Sequence, residues 1–259
     1  MQCQPEEIGS FVYKIYKVKK LVIVFVLVLV ENMNAQIDNA PYSALLRQYV
    51  TSDGLVDYKG LLTKREELGR YLTQLENTDT AQLKSRNQKL AFWINAYNAF
   101  TLALILDHYP VQSITDLHPV FYVPGLNSVW HYKFFSIDGN EMNLDHIEHQ
   151  ILRKAFNEPR IHFAINCASI SCPVLRNEAY NAESIELQLE EQTRKFINDS
   201  SRNEISEKTL VLSKIFSWFK SDFTKNSSLQ EFIRKYSDTQ FSKNPSIRFK
   251  KYNWRLNEI

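Results

Sequence analysis

The run from Ala91 through Phe92, Trp93, Ile94, Asn95, Ala96, Tyr97, Asn98, Ala99 and Phe100 to Leu106 is apolar nearly all round a helical wheel. A helix without a polar face has to be buried on every side. The pattern extends over roughly 80–108 and stops before Pro110, since the residue before a proline is pushed out of the helical region. The remaining chain must therefore wrap around one long central helix. Asn95 and Asn98 stand three apart on one face of it, in line with Phe92 and Thr101. A buried amide left without partners costs about 1–3 kcal/mol. Either both amides bond loop backbone and fix a crossing, or one faces a site as an oxyanion donor or an orienting group.

The elements that do the wrapping follow from periodicity and turn residues. Tyr42, Leu45, Leu46 and Tyr49 give an amphipathic helix over 37–49, and Asp53–Gly54 a turn. A second helix is predicted over 61–75. After a loop at 111–130, a strand over 129–137 turns at Asp138–Gly139–Asn140 into a short return strand. Asn143 is a plausible N-cap for a helix over 144–156. Further helices are expected over 182–198 and 229–236, and strands over 209–216 and 247–256. Helices and strands mix without βα alternation, so the expected fold is α+β. It is a single domain over 36–259, with a long buried central helix and several further helices around a small antiparallel sheet.

The first 35 residues are of another kind. Lys14, Lys17, Lys19 and Lys20 precede ten unbroken apolar residues, Leu21 to Val30, and a small residue, Ala35, follows. That is the layout of a secretory signal peptide over 1–35, with an uncleaved N-terminal anchor as the alternative. Ten apolar residues are too few for a bilayer span, which needs about 20, so no stable membrane span is expected after cleavage. The chain is then exported to the periplasm, the cell surface or the medium. Net charge is +2, with both signs interspersed; no basic stripe points to nucleic acid.

Chemistry concentrates at 144–173. On the 144–156 helix, Glu148 falls inside the apolar stripe, about 40° from Leu144 at about 100° per residue. A carboxylate there needs a cation or a donor. It is either a structural ion pair or a group that orients a catalytic histidine. The stretch Arg160–Ile161–His162–Phe163–Ala164–Ile165–Asn166–Cys167–Ala168–Ser169–Ile170–Ser171–Cys172–Pro173 reads as a short strand running into a small-residue loop. Cys167 and Cys172 lack the second ligand pair of a structural zinc site, so neither a metal nor a cofactor is expected. Two readings stay open. One is a Cys167–Cys172 disulfide holding the recognition loop of a non-enzymatic binding module. The other is a thiolate nucleophile with a nearby base and an orienting acid. Glu148, His162 and Cys167 supply the three residue types. Strand alternation would aim His162 and Cys167 at opposite faces, so the strand must end before Cys167, or Cys172 or another histidine (His118, His131, His146 or His149) must serve instead.

The segments Trp93 to Phe100, Leu144-x-x-Ile147–Glu148-x-x-Ile151–Leu152–Arg153 and Arg160–Ile161–His162–Phe163–Ala164-x-x-Cys167-x₄-Cys172–Pro173 resemble domain-of-unknown-function family 547. Val56–Asp57–Tyr58, Trp218 with Asp222–Phe223, and Tyr252-x-Trp254-x-Leu256–Asn257 fit the same resemblance. It implies a relationship to papain-like or transglutaminase-like cysteine enzymes and an architecture of that kind. Carried over by position, Cys167 is the nucleophile, His162 the base and Glu148 the orienting acid. Asn95, Asn98, Cys172 and Arg160 are the supporting residues. The implied activity is hydrolysis or acyl transfer at amide or peptide bonds, with a peptide or protein as substrate.

Overall fold

The computed structural model describes residues 37–259 except Pro124 and Gly125, so the expected signal peptide lies outside the described residues. Helices α1 (Ala40–Tyr49), α2 (Tyr58–Leu62) and α3 (Arg65–Glu76) precede the central helix α4 (Arg86–His108). The helix expected over 61–75 is divided. Asp57 caps the separate short helix α2 by accepting the Gly60 N–H at 2.7 Å, and α3 begins afresh. Asp79 likewise caps a separate 3₁₀ turn, Thr80–Gln82, so α4 starts later than expected. Ser85 opens α4 with a capping box. Its hydroxyl accepts the Gln88 N–H at 3.0 Å, and the Gln88 side chain accepts the Ser85 N–H at 2.9 Å. Every residue from Leu90 to Leu106 is buried. By length and composition α4 could cross a membrane, but 94% of its most apolar window is enclosed by the protein. Leu68, Tyr71, Leu72 and Leu75 of α3 are buried beside it, and Tyr42 of α1 stacks on Tyr71 with ring centres 4.4 Å apart.

The hairpin β1 (Phe135–Ile137) and β2 (Asn140–Met142) forms where the turn residues place it. Asp138 and Gly139 both take positive φ, 54° and 71°, as a two-residue type I′ turn requires. The strand begins later than 129, because Val129–His131 is a 3₁₀ turn. Phe135 stacks on Phe100 of α4 at 3.8 Å and ties the hairpin to the core. Asn143 then accepts the His146 N–H at 2.7 Å as the N-cap of the next helix. That helix is wound with π spacing over His146–Leu152 before continuing as α5 (Arg153–Phe156).

The segment read as a strand from Arg160 is not one. Pro159–Phe163 is a 3₁₀ helix with Glu158 as its N-cap, and 164–173 is irregular. Proline at the first helical position, with a capping side chain before it, is a helix start, and this local chemistry overrides the apolar run. The alternation that set His162 against Cys167 therefore does not apply.

Helix α6 (Ile185–Ile197) leads to a three-stranded sheet of β3 (Glu204–Ile205), β4 (Thr209–Leu212) and β5 (Ser246–Phe249), in the order β3-β4-β5. The β3–β4 pair is antiparallel and the β4–β5 pair parallel. Short helices α7 (Ile215–Trp218), α8 (Lys220–Phe223) and α9 (Leu229–Tyr236) intervene. They contribute to an aromatic cluster that includes Phe163, Phe196, Phe216, Phe223 and Phe232, so the residue next to His162 is anchored in the core. After β5 the tail runs alongside the cysteine loop. The Ile170 N–H donates to Arg255 O at 2.9 Å, the Ser171 N–H to Asn253 O at 3.2 Å, and the Asn257 N–H to Ala168 O at 3.3 Å. Residues 38–259 make one α+β domain.

Candidate functional site

Glu148, His162, Cys167 and Cys172 all line one cavity of about 460 Å³. They arrive on three different supports. Glu148 lies on the π-wound turn, where Ile147 and Leu152, five apart, both face the core and the Arg153 N–H donates to Glu148 O. π turns recur at functional sites because the extra residue re-aims a side chain. His162 lies on the 3₁₀ helix, stacked on Phe219 at 3.9 Å. Cys167 sits in the loop braced by the C-terminal tail.

His162 is buried, and both its ring nitrogens face carboxyls. Its Nε2 is 2.8 Å from Asp222 Oδ2, and its Nδ1 is 3.8 Å from Glu148 Oε1. The group at hydrogen-bond distance is thus Asp222. Asp222 is itself held by Arg153 through Nε at 2.6 Å and Nη2 at 2.9 Å. Despite its partial burial, these two partners hold the Asp222 carboxyl well below the usual carboxylate range. An ionised Asp222 can only accept, so the neutral imidazole carries its proton on Nε2 and keeps the lone pair on Nδ1. Burial pushes the His162 pKa down, which favours that neutral form. Glu148 has no cation at hydrogen-bond distance; Tyr97 donates to its Oε2 at a long 3.4 Å. Burial, followed by the nearby Cys167, pushes its carboxyl up to about 8. At neutral pH it holds its proton.

Cys167 and Cys172 are both free thiols. Their Sγ atoms lie 2.7 Å apart, and the Cys167 N–H donates to Cys172 Sγ at 2.9 Å. The Cys167 sulfur also lies 3.3 Å from Ser169 Oγ and 3.2 Å from Tyr252 OH. Burial alone would raise this thiol. The hydrogen bonds from Cys172, Ser169 and Tyr252 outweigh burial and bring it down to about 7. Burial and the neighbouring Cys167 push Cys172 well above the ordinary thiol range. The hydrogen-bond partners of Cys167 are thus Cys172, Ser169 and Tyr252, while His162 sits elsewhere along the same cavity.

Of the supporting residues, Cys172 lines the cavity, while Asn95, Asn98 and Arg160 act from outside it. Asn98 donates to Ala164 O at 2.9 Å and accepts the Asn166 N–H at 2.8 Å. Asn95 does the same for Tyr180, donating to its O and accepting its N–H, both at 2.8 Å. Both amides are spent on loop backbone. Arg160 pairs with Glu158 at 2.7 Å and Glu186 at 2.6 Å. Among the other candidate histidines, His131 and His149 line the cavity, each with Nε2 near Asp145 Oδ1, at 3.5 and 3.6 Å. Much of the lining is aromatic. Trp218 lies 4.7 Å from Tyr252 and 5.8 Å from Trp254, and Trp254 lies 5.5 Å from Trp130.

Asp222, Tyr252 and Ser169 carry no role in a local sequence reading. Asp222 and Tyr252 do fall within the Trp218…Asp222–Phe223 and Tyr252-x-Trp254 segments of the resemblance. That was their only signal.

Fold and cavity define an α+β protein with a thiol-bearing cleft, lined by carboxyls, imidazoles and aromatic rings. Residues 80–197 match the model of a family described as "Protein of unknown function, DUF547", and the chain resembles that family. The match spans α4 to α6 and so includes Asn95, Asn98, Glu148, His162, Cys167 and Cys172, but not Asp222 or Tyr252. No curated protein and no solved structure matches the chain.

Proposed function

We propose that this protein is an exported cysteine-dependent hydrolase or acyl transferase acting on amide or peptide bonds, with Cys167 as its nucleophile. The observation that carries this reading is the Cys167 thiol, brought down to about 7 by its hydrogen bonds, in a cavity shared with His162 and Glu148. A thiolate is the attacking form, and near pH 7 such a thiol is ionised about half the time. Cys167 Sγ adds to the substrate carbonyl carbon. The amide C–N bond then breaks, and the nitrogen leaves with a proton. Glu148, which holds its proton at neutral pH, supplies the acid. His162 Nδ1 is the basic nitrogen, and Asp222 fixes its tautomer through Nε2. Water or an acceptor amine then attacks the thioester carbonyl and gives its proton to the Glu148 carboxylate; the C–S bond breaks and the Cys167 thiolate leaves, which restores both groups. The aromatic wall favours substrates with apolar or flat groups beside the scissile bond.

The test follows alkylation of the reduced native chain by iodoacetamide as a function of pH, with peptide mapping. Of Cys167 and Cys172, Cys167 alone should react, with a rate inflection near pH 7. Treatment with 4-nitrophenyl acetate should leave an acetyl group on Cys167. An unreactive Cys167, or an inflection at about 8.5 as for an ordinary thiol, removes the reading.

A further inference from the structure

A nucleophile does not need a second thiol in contact with it, and Cys172 is unexplained by acyl transfer. Cys172 is buried and faces the same cavity, with its sulfur 2.7 Å from that of Cys167. The loop between them is held from several sides. The Arg202 guanidinium donates to Cys172 O at 2.8 Å and Ile170 O at 3.1 Å. Asn166 donates to Pro173 O at 2.7 Å and accepts the Ala168 N–H at 2.8 Å. Ala168 takes a positive φ of 56°, a conformation an L-residue adopts only when its surroundings impose it. The backbone thus keeps two sulfurs together that the chain could otherwise separate.

We propose that Cys167 and Cys172 are a reversible redox pair, in which Cys167 attacks a peroxide and Cys172 resolves the product to a disulfide that masks the nucleophile. The proposal rests on the reading of Cys167 as the nucleophile, and it adds the oxidant class and the regulation of that site. The two sulfurs divide the labour by position. Cys167 is half-buried and hydrogen-bonded by hydroxyls, as an attacking thiolate should be. Cys172 is shielded and stays protonated until it is used. In the first step Cys167 Sγ attacks one oxygen of hydrogen peroxide. An S–O bond forms, the O–O bond breaks, and hydroxide leaves and takes a proton to become water. In the second step Cys172 Sγ attacks the sulfenic sulfur; the S–S bond forms, the S–O bond breaks, and a second water leaves. Two thiols are oxidised by two electrons and one peroxide is reduced to two waters. A dithiol reverses the change by exchange at the more accessible sulfur, that of Cys167.

The full chain, reduced and desalted, is treated with hydrogen peroxide, denatured, alkylated and digested with trypsin. Both cysteines fall in one peptide, residues 161–176, separate from Cys3. That peptide should lose two hydrogens and take no alkyl group. Dithiothreitol added to the folded protein should restore both thiols. Acetylation of Cys167 by 4-nitrophenyl acetate should fall at least tenfold on oxidation and recover on reduction. In Cys172→Ser, oxidation should stop at a sulfenic acid on Cys167 that dimedone traps. Peptide 161–176 with both thiols still alkylatable, or with Cys167 taken to sulfinic acid in the wild type, overturns the pair and leaves the acyl-transfer reading standing. A disulfide that dithiothreitol reaches only after unfolding overturns reversibility and makes the bridge structural. Normal redox cycling without acetylation in the reduced protein overturns the acyl-transfer reading alone.

Discussion

At the scale of the residue, Glu148 couples chemistry to stability. Its carboxyl holds a proton up to about 8 in the fold, against about 4.3 in an unfolded chain. Between those pH values the unfolded chain has lost the proton and the folded chain has not. Stability therefore falls as pH rises through the window, by roughly 1.4 kcal/mol per unit. Glu148→Gln removes that penalty while keeping a partner for Tyr97. Thermal melts of the two proteins should diverge from pH 5 to pH 8, with the variant more stable at the alkaline end even though Cys167 acetylation turnover is lost. Parallel melting curves across that range sink the idea. Tyr252 is the complementary case. Its hydroxyl is 3.2 Å from the Cys167 sulfur, and a hydrogen bond to a charged group contributes about 1.5–3 kcal/mol. Tyr252→Phe should move the alkylation inflection of Cys167 upward by about one pH unit or more, and an unmoved inflection would show that the hydroxyl does not support the thiolate.

At the scale of the element, the site depends on how loops are clamped to rigid supports. Asn98, on the central helix, satisfies one carbonyl and one N–H in the segment leading to Cys167. Asn98→Ala leaves both buried groups without partners, at about 1–3 kcal/mol each. Urea unfolding should show a loss of about 2–4 kcal/mol, and Cys167 alkylation should lose its low-pH inflection. A loss under about 1 kcal/mol would mean that water replaces the amide. Gly54 clamps from the other side. It has φ of 77°, and a Cβ there would lie 2.5 Å from that of Val174. Gly54→Ala should therefore lower the melting temperature through both backbone strain and overlap. The elements themselves were legible to different degrees. The central helix and the Asp138–Gly139 hairpin followed from patterns confined to a few residues. The apolar run from Arg160 has the pattern of a strand, but Pro159 and the Glu158 cap start a 3₁₀ helix there instead. The π turn had no signature, since a wheel drawn at helical spacing presumes the geometry it is meant to reveal.

At the scale of the whole molecule, the site is assembled from distant parts of the chain. Asp222 is 60 residues from His162, and Tyr252 is 85 residues from Cys167. Local periodicity holds no information at that range, so the sequence alone offered Glu148, His162 and Cys167 and left their closest partners unassigned. The tertiary arrangement also sets an optical property. Of the four tryptophans, Trp130, Trp218 and Trp254 line the cavity, and only Trp93 lies elsewhere, in the central helix. Intrinsic fluorescence should therefore report on whatever occupies the cleft. Labelling Cys167 with a dinitrophenyl thiol reagent puts an acceptor beside three of the four emitters, and emission should fall by more than half. Thiol cleavage of the label should restore it. Trp218 is 45% exposed, so Trp218→Ala should leave stability nearly unchanged while removing part of the quenchable emission. It should also weaken binding of substrates with apolar groups, read as a rise in KM with little change in kcat, because the ring touches the substrate equally before and during the reaction. Emission that ignores the label would place Cys167 outside the aromatic cleft and separate the thiol from the wall proposed to hold its substrate.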